Sequence, residues 1–135
     1  MTCLSAIQMA EDWRALLPER LAAIGRRLRA IGAPGELGDS ALESALEAVR
    51  EGLQLLARRA LEHDRNEDAL AWLDWACRLF LGCRAALSAC LAVRPVRSLF
   101  ALGELGEAAA AIAELAREAR DLVGLLASSE IRGAA

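Results

Sequence analysis

The apolar positions of this chain recur at alternating steps of four and three, the mark of helices with one face in a core. The clearest case is the stretch 66–93. Trp72, Ala76, Leu79, Cys83, Ala86 and Cys90 form one seam, with Trp75 beside it. Leu73, Cys77, Phe80, Arg84, Leu87 and Leu91 form a second. Two neighbouring seams leave only a narrow polar strip near Asp74, Arg78 and Ser88. A helix apolar over more than half its circumference must touch neighbours on at least two sides, so this rod is expected at the centre, enclosed by the others or by a second copy. At ~1.5 Å per residue it is roughly 40 Å long.

Other segments carry the same period. Leu17, Leu21, Ile24, Leu28 and Ile31 make a seam that ends at the loop signals Gly32, Pro34, Gly35 and Gly38. Leu4, Ile7 and Trp13 suggest a shorter apolar piece ahead of it. Because proline suits a first turn and disrupts an interior, Pro18 predicts either a short helix over 1–17 and a fresh start, the preferred reading, or one helix kinked there. Ser40 with Glu43 fits a capping box, followed by the seam Leu42, Leu46, Val49, Leu53, Leu56 and Ala60. Asp64 with Glu67 suggests a second cap after the turn containing His63. Beyond Pro95, VRSLFAL (96–102) suggests a short turn. The last helix is expected from about residue 104 to 128, with Leu105, Ala109, Ile112, Ala116, Ala119, Val123 and Leu126 on one seam and Ala108, Leu115 and Leu122 beside it. Residues 129–135 read as a frayed tail. The prediction is one all-α domain over 1–135: an antiparallel helical bundle of four main helices with one or two short extra helical turns.

Composition agrees with helices and narrows the chemistry. The chain has 135 residues, enough to bury a core unaided. Alanine is abundant, Tyr is absent, and β-branched residues are few. All sixteen basic residues are Arg, as a GC-rich coding sequence gives, and the net charge is −3. The molecule as a whole therefore offers nucleic acid no attraction, and no aromatic-interleaved basic stripe appears. Residues 14–29 hold five arginines against Glu19 alone. That is a solvated charged face or a surface for an acidic partner, with Arg26 and Arg29 as its candidates. A membrane span is not expected, since Asp74, Arg78 and Arg84 interrupt the most apolar segment.

Of Cys3, Cys77, Cys83 and Cys90, the last three are spaced by six and seven. Helical zinc ligands need three or four, or a CxxC pair. Cys77 and Cys83 would lie about 9 Å apart on a helix, beyond the ~7 Å reach of a disulfide. They read as small core residues in a reducing compartment, and with no signal-peptide pattern the expected location is the cytoplasm. Glu43, Glu47 and Glu51 make an acidic stripe, but a di-iron bundle also needs Glu-x-x-His pairs and the chain has a single His. No metal, cofactor or catalytic motif is legible, so no enzyme is expected.

Over about 50–81, Leu53, Leu56, Ala57 and Ala60, then Ala69, Leu73 and Ala76, fall where a tetratricopeptide repeat carries its two-helix pattern. The hairpin resembles a single such repeat, with Ala60 where an aromatic is usual and Leu81 where a proline closes the unit. The resemblance implies a protein-binding helical hairpin and nothing narrower. Arg84 interrupts an apolar seam: either its stem lies along the seam with its head in water, or its guanidinium is buried against a carboxylate. The sequence therefore suggests a small interaction protein, an adaptor, assembly factor or secretion-type chaperone that buries a partner helix or a second copy of itself. Trp72, Trp75, Arg84, Arg26 and Arg29 are its candidate contacts. The alternative is a ligand-binding regulatory bundle with a small apolar pocket near Trp72 and Trp75.

Overall fold

The structure, a computed structural model, describes residues 3–31, 40–62, 68–92 and 99–133. Four α-helices account for nearly all of them: α1 (Cys3–Ala30), α2 (Ser40–Leu61), α3 (Ala69–Ala92) and α4 (Leu99–Gly133). Each packs on its neighbour in sequence, α3 and α4 most extensively, and α1 closes the ring against α4. Contacts between distant residues fix the directions. Arg14 of α1 meets the end of α2, Arg20 and Arg27 meet Glu118 and Glu104 of α4, and Cys77 of α3 meets Ala116. Neighbours are therefore antiparallel, as the periodicity predicts.

The core is the set of seam residues. Leu17, Leu21, Ile24, Leu28 and Ile31 of α1 are buried, as are Leu46, Val49, Leu53, Leu56 and Ala60 of α2. Leu73, Ala76, Phe80, Cys83 and Leu87 join them from α3, and Leu105, Ile112, Leu115, Ala116 and Leu126 from α4. The bundle is not square in section. α1 touches α3 across one diagonal, while α2 and α4 do not meet among the described residues. Trp13 spans the short diagonal, edge-on to Trp72 with ring centroids 6.2 Å apart and to Phe80 at 6.3 Å.

Four expectations are corrected. Pro18 neither starts nor ends a helix, since α1 runs through it without a break. An internal proline costs about 3 kcal/mol. The core residues Ala6, Ala10 and Leu17 before it, and Leu21 and Ile24 after it, face the same neighbours only if the helix continues. Burying each large one is worth ~1.5–3 kcal/mol, so packing wins. The sequence signal was masked because two of the anchors ahead of Pro18 are alanines. Second, α4 begins at Leu99 and continues to Gly133, taking in residues 99–102 of the expected turn and 129–133 of the expected tail; residues 96–98 and 134–135 lie outside the described residues, among which no separate short helix occurs. Third, Asp64, Glu67 and His63 lie outside the described residues, and the cap of α3 is Asp68. Its carboxylate accepts from the Leu70 N–H at 3.1 Å, and its carbonyl takes the first helical bond, from Trp72, at 3.0 Å. The side chain of Ser40, expected to cap α2, also lies outside them.

Fourth, α3 is not enclosed by the other three helices. Each helix of a four-membered ring is a corner, and α3 keeps an outer flank in which Ala71, Arg78, Leu81, Gly82, Arg84, Ala85, Ser88 and Ala89 are exposed. The pattern overstated its burial because alanine and glycine count as apolar but tolerate water.

Candidate functional site

The two tryptophans singled out from the sequence lie in an aromatic cluster where α1, α3 and the end of α2 meet. Trp72 packs edge-on to Trp13 and tilted against Trp75, with centroids 6.3 Å apart. It is only 3 % exposed, so it is a core residue and cannot meet a partner without repacking. Its indole N–H is buried and has no hydrogen-bond partner among the described residues. Trp75 is half-buried, with the Arg59 guanidinium 4.5 Å over its ring.

Arg14 holds the cluster shut. Its guanidinium lies 4.5 Å over the Trp72 ring. It also donates to the carbonyls of Arg59 at 2.7 Å, Glu62 at 2.5 Å and Ala60 at 3.4 Å. These belong to the last turn of α2 and the residue after it, where carbonyls lack helical partners and the helix dipole favours a cation. Sequence reasoning counted Arg14 only as a charge. Its partners are more than forty positions away, so no local signal could show them. Among the described residues Trp13 and Arg14 pack against the Trp72 ring, Phe80 packs against Trp13, and Arg59 covers Trp75.

The arginines of α1 are divided between two tasks. Arg20 makes a two-pronged bond to Glu118, at 2.7 and 2.6 Å, and Arg27 approaches Glu104 at 3.4 Å. The Arg20 hydrogen bonds hold the Glu118 carboxyl below its usual range against the opposing effect of burial, and the same bonds raise Arg20. Trp13 also helps to lower Glu118, although its indole nitrogen falls short of hydrogen-bond geometry. Arg26 and Arg29 are exposed. They sit on α1, diagonally across the bundle from α3, so the structure does not bring them into one site with Trp75 or Arg84. Among the described residues the acidic stripe makes no ion pair with these arginines. Glu43, Glu47 and Glu51 are exposed, and Glu47 pairs with Arg50 on its own helix.

Arg84 is exposed, and among the described residues it has no ion-pair partner. Within this chain its head lies in water, and no carboxylate of another helix buries it among the described residues. Its neighbours on the outer flank of α3 are small or apolar, and the flank has no fully exposed carboxylate. Arg78 pairs with the half-exposed Asp74 at 2.8 Å. A Cβ placed on Gly82 would meet nothing within 4 Å.

Cys77 and Cys83 are buried free thiols. Burial pushes Cys83 up to about 11, and burial likewise raises Cys77, with Arg120 pulling the other way. A nucleophilic cysteine needs the opposite shift. The side chains of Cys3 and Cys90 lie outside the described residues. Among the described residues no three His, Cys, Asp or Glu side chains gather as a metal site. No helix among them is long and apolar enough to cross a membrane.

Fold and surface together define an antiparallel four-helix bundle with one charge-poor face. Comparison with family models, with curated proteins and with solved structures gives no match. The resemblance of 50–81 to a tetratricopeptide repeat remains a local pattern. α2 and α3 do form a hairpin, but α4 and α1 close it into a ring rather than leaving an open stack.

Proposed function

We propose that this chain is a small non-catalytic interaction module that buries a partner helix, or a second copy of itself, along the outer flank of α3. The observation that carries the reading is the makeup of that flank. Ala71, Leu81, Gly82, Ala85 and Ala89 are exposed, the charges among the described residues of the flank are Arg84 and the paired Arg78 and Asp74, and half-buried Trp75 stands near the N-terminal end. The outer faces of α1, α2 and α4 all carry exposed carboxylates among their exposed residues. Small side chains let another helix approach closely, and depletion of charge marks the centre of an interface. Arg84 sits at its edge and suits an acidic border on the partner, while Arg78 lies within the flank with its charge paired to Asp74. An adaptor, an assembly factor or a chaperone of the secretion type each needs such a face, and a cytoplasmic setting keeps the two buried thiols reduced.

A photo-crosslinking residue placed at Ala85 tests this in cells, with the same residue at exposed Ala23 of α1 as control. Discrete adducts from Ala85 alone, lost when Ala89→Glu adds a charge to the flank, are expected. Equal labelling from both positions, or none from Ala85, sinks the proposal. The alternative, a ligand-binding regulatory bundle, is favoured by a separate observation: a groove between α1 and α2, away from the tryptophans.

A further inference from the structure

The groove has an apolar end and a cationic end. Pro18, Leu21 and Ala22 of α1 face Leu53 and Ala57 of α2 along its apolar part. Because the helices are antiparallel, Arg29 and Arg50 stand together at the other end, and no carboxylate is among the lining residues. Its volume is about 120 Å³, near that of an apolar cavity of ~150 Å³ that takes benzene.

The two guanidiniums differ in how they are held. Arg50 donates to the Leu28 carbonyl at 2.7 Å and to Glu47 at 3.1 Å, which fixes it in the wall. Glu47 itself is exposed, so water screens much of its charge. Arg29 lies back along α1, its Nε donating to the Gly25 carbonyl at 3.3 Å. Its Nη2 passes 3.7 Å from where a Cβ on Gly25 would stand, an ordinary contact distance, so the side chain lies close along the helix. Among the described residues Arg29 has no carboxylate partner. A rigid cation and an uncommitted one thus border an apolar trough with room for about one ring.

We propose that the α1/α2 groove binds a small carboxylate with a compact apolar body. The carboxylate lies between Arg29 and Arg50, and the body lies over Leu21 and Leu53 toward Pro18. A planar carboxylate matches the fork of a guanidinium, and such charge-assisted bonds are roughly twice as strong as neutral ones. This deepens the ligand-binding reading and uses no residue of the α3 flank, so either proposal can fail alone.

The test is a titration of the isotope-labelled full chain with sodium benzoate at constant ionic strength, followed by amide NMR shifts. Saturable shifts are expected at Ala22, Gly25, Leu53 and Gln54. Benzamide, the neutral probe of the same shape, binds about tenfold more weakly, and Arg29→Gln weakens benzoate by about tenfold. Arg26→Gln, an exposed neighbour that does not line the groove, leaves benzoate affinity unchanged. Ala22→Phe fills the trough and abolishes the shifts, with the helical circular dichroism retained. Shifts that never saturate, benzamide binding as well as benzoate, or Arg26→Gln losing as much as Arg29→Gln would each overturn the proposal.

Discussion

At the scale of single residues, Arg14 matters more than the arginine that drew attention in the sequence. It bonds three carbonyls at the end of α2 and covers Trp72. Arg14→Ala is expected to cost about 2–3 kcal/mol in urea unfolding, as charged hydrogen bonds to otherwise unpaired carbonyls are lost. Arg84→Ala and Arg58→Ala, both at exposed positions, should each stay within about 0.5 kcal/mol of the parent chain. The Arg20–Glu118 pair supplies a pH signature. Glu118 is held low in the folded chain, so its stabilising effect is full above the unfolded carboxylate value of 4.5 and fades as pH falls through the lower folded value. The pair is only partly buried, so Glu118→Gln should cost about 1 kcal/mol at pH 7, and the gap to the parent should close at acid pH. Cys83 shows the reverse sign. Its pKa is raised, so the stability it confers is intact below about 9 and declines as pH rises toward about 11. Iodoacetamide at pH 8 should leave Cys77 and Cys83 unmodified until denaturant is added, as read by mass spectrometry of the peptides.

At the scale of elements, most of the helices were legible because each seam is a long, regular pattern. Leu17 through Ile31, and Leu46 through Ala60, were read correctly for that reason. Where reading failed, a tertiary effect overruled a local rule. Pro18 reads as a boundary because no local feature reveals that Ala6 and Ala10 are anchored. The same logic makes Pro18→Ala stabilising, by about 1–3 kcal/mol in chemical denaturation, since the N–H returns to an existing helix. Glycines divide by surroundings. Gly103 and Gly124 meet nothing within 4 Å of an added Cβ, so alanine at either should stabilise by about 0.5–1 kcal/mol. At Gly52 the added carbon would lie 3.2 Å from the Cys83 Sγ, so the same change should bring less than half that gain, or a loss. Asp68 escaped notice as the cap because Ala71 stands where a capping box would place Glu.

At the scale of the whole molecule, the sequence carries the number and direction of the helices but not which pairs lie diagonal. That is settled by Trp13 reaching Trp72 and Phe80, a long-range fit of three rings. The candidate site was legible only in part. Trp75 and Arg84 do lie at the α3 surface, whereas Trp72 is core and Arg26 and Arg29 belong to another side. The α1/α2 groove was invisible because its lining mixes small residues from two helices, each unremarkable alone. One property of the ring goes further. The first helix lies beside the last, with the start of α1 and the end of α4 at the same end of the bundle. Such an arrangement has no privileged opening. A circular permutant that splices residue 133 to residue 3 through a short tether, and begins instead at α3, would keep every pairing of neighbours, so the order in which the helices are synthesised becomes a variable that can be changed while the architecture stays the same.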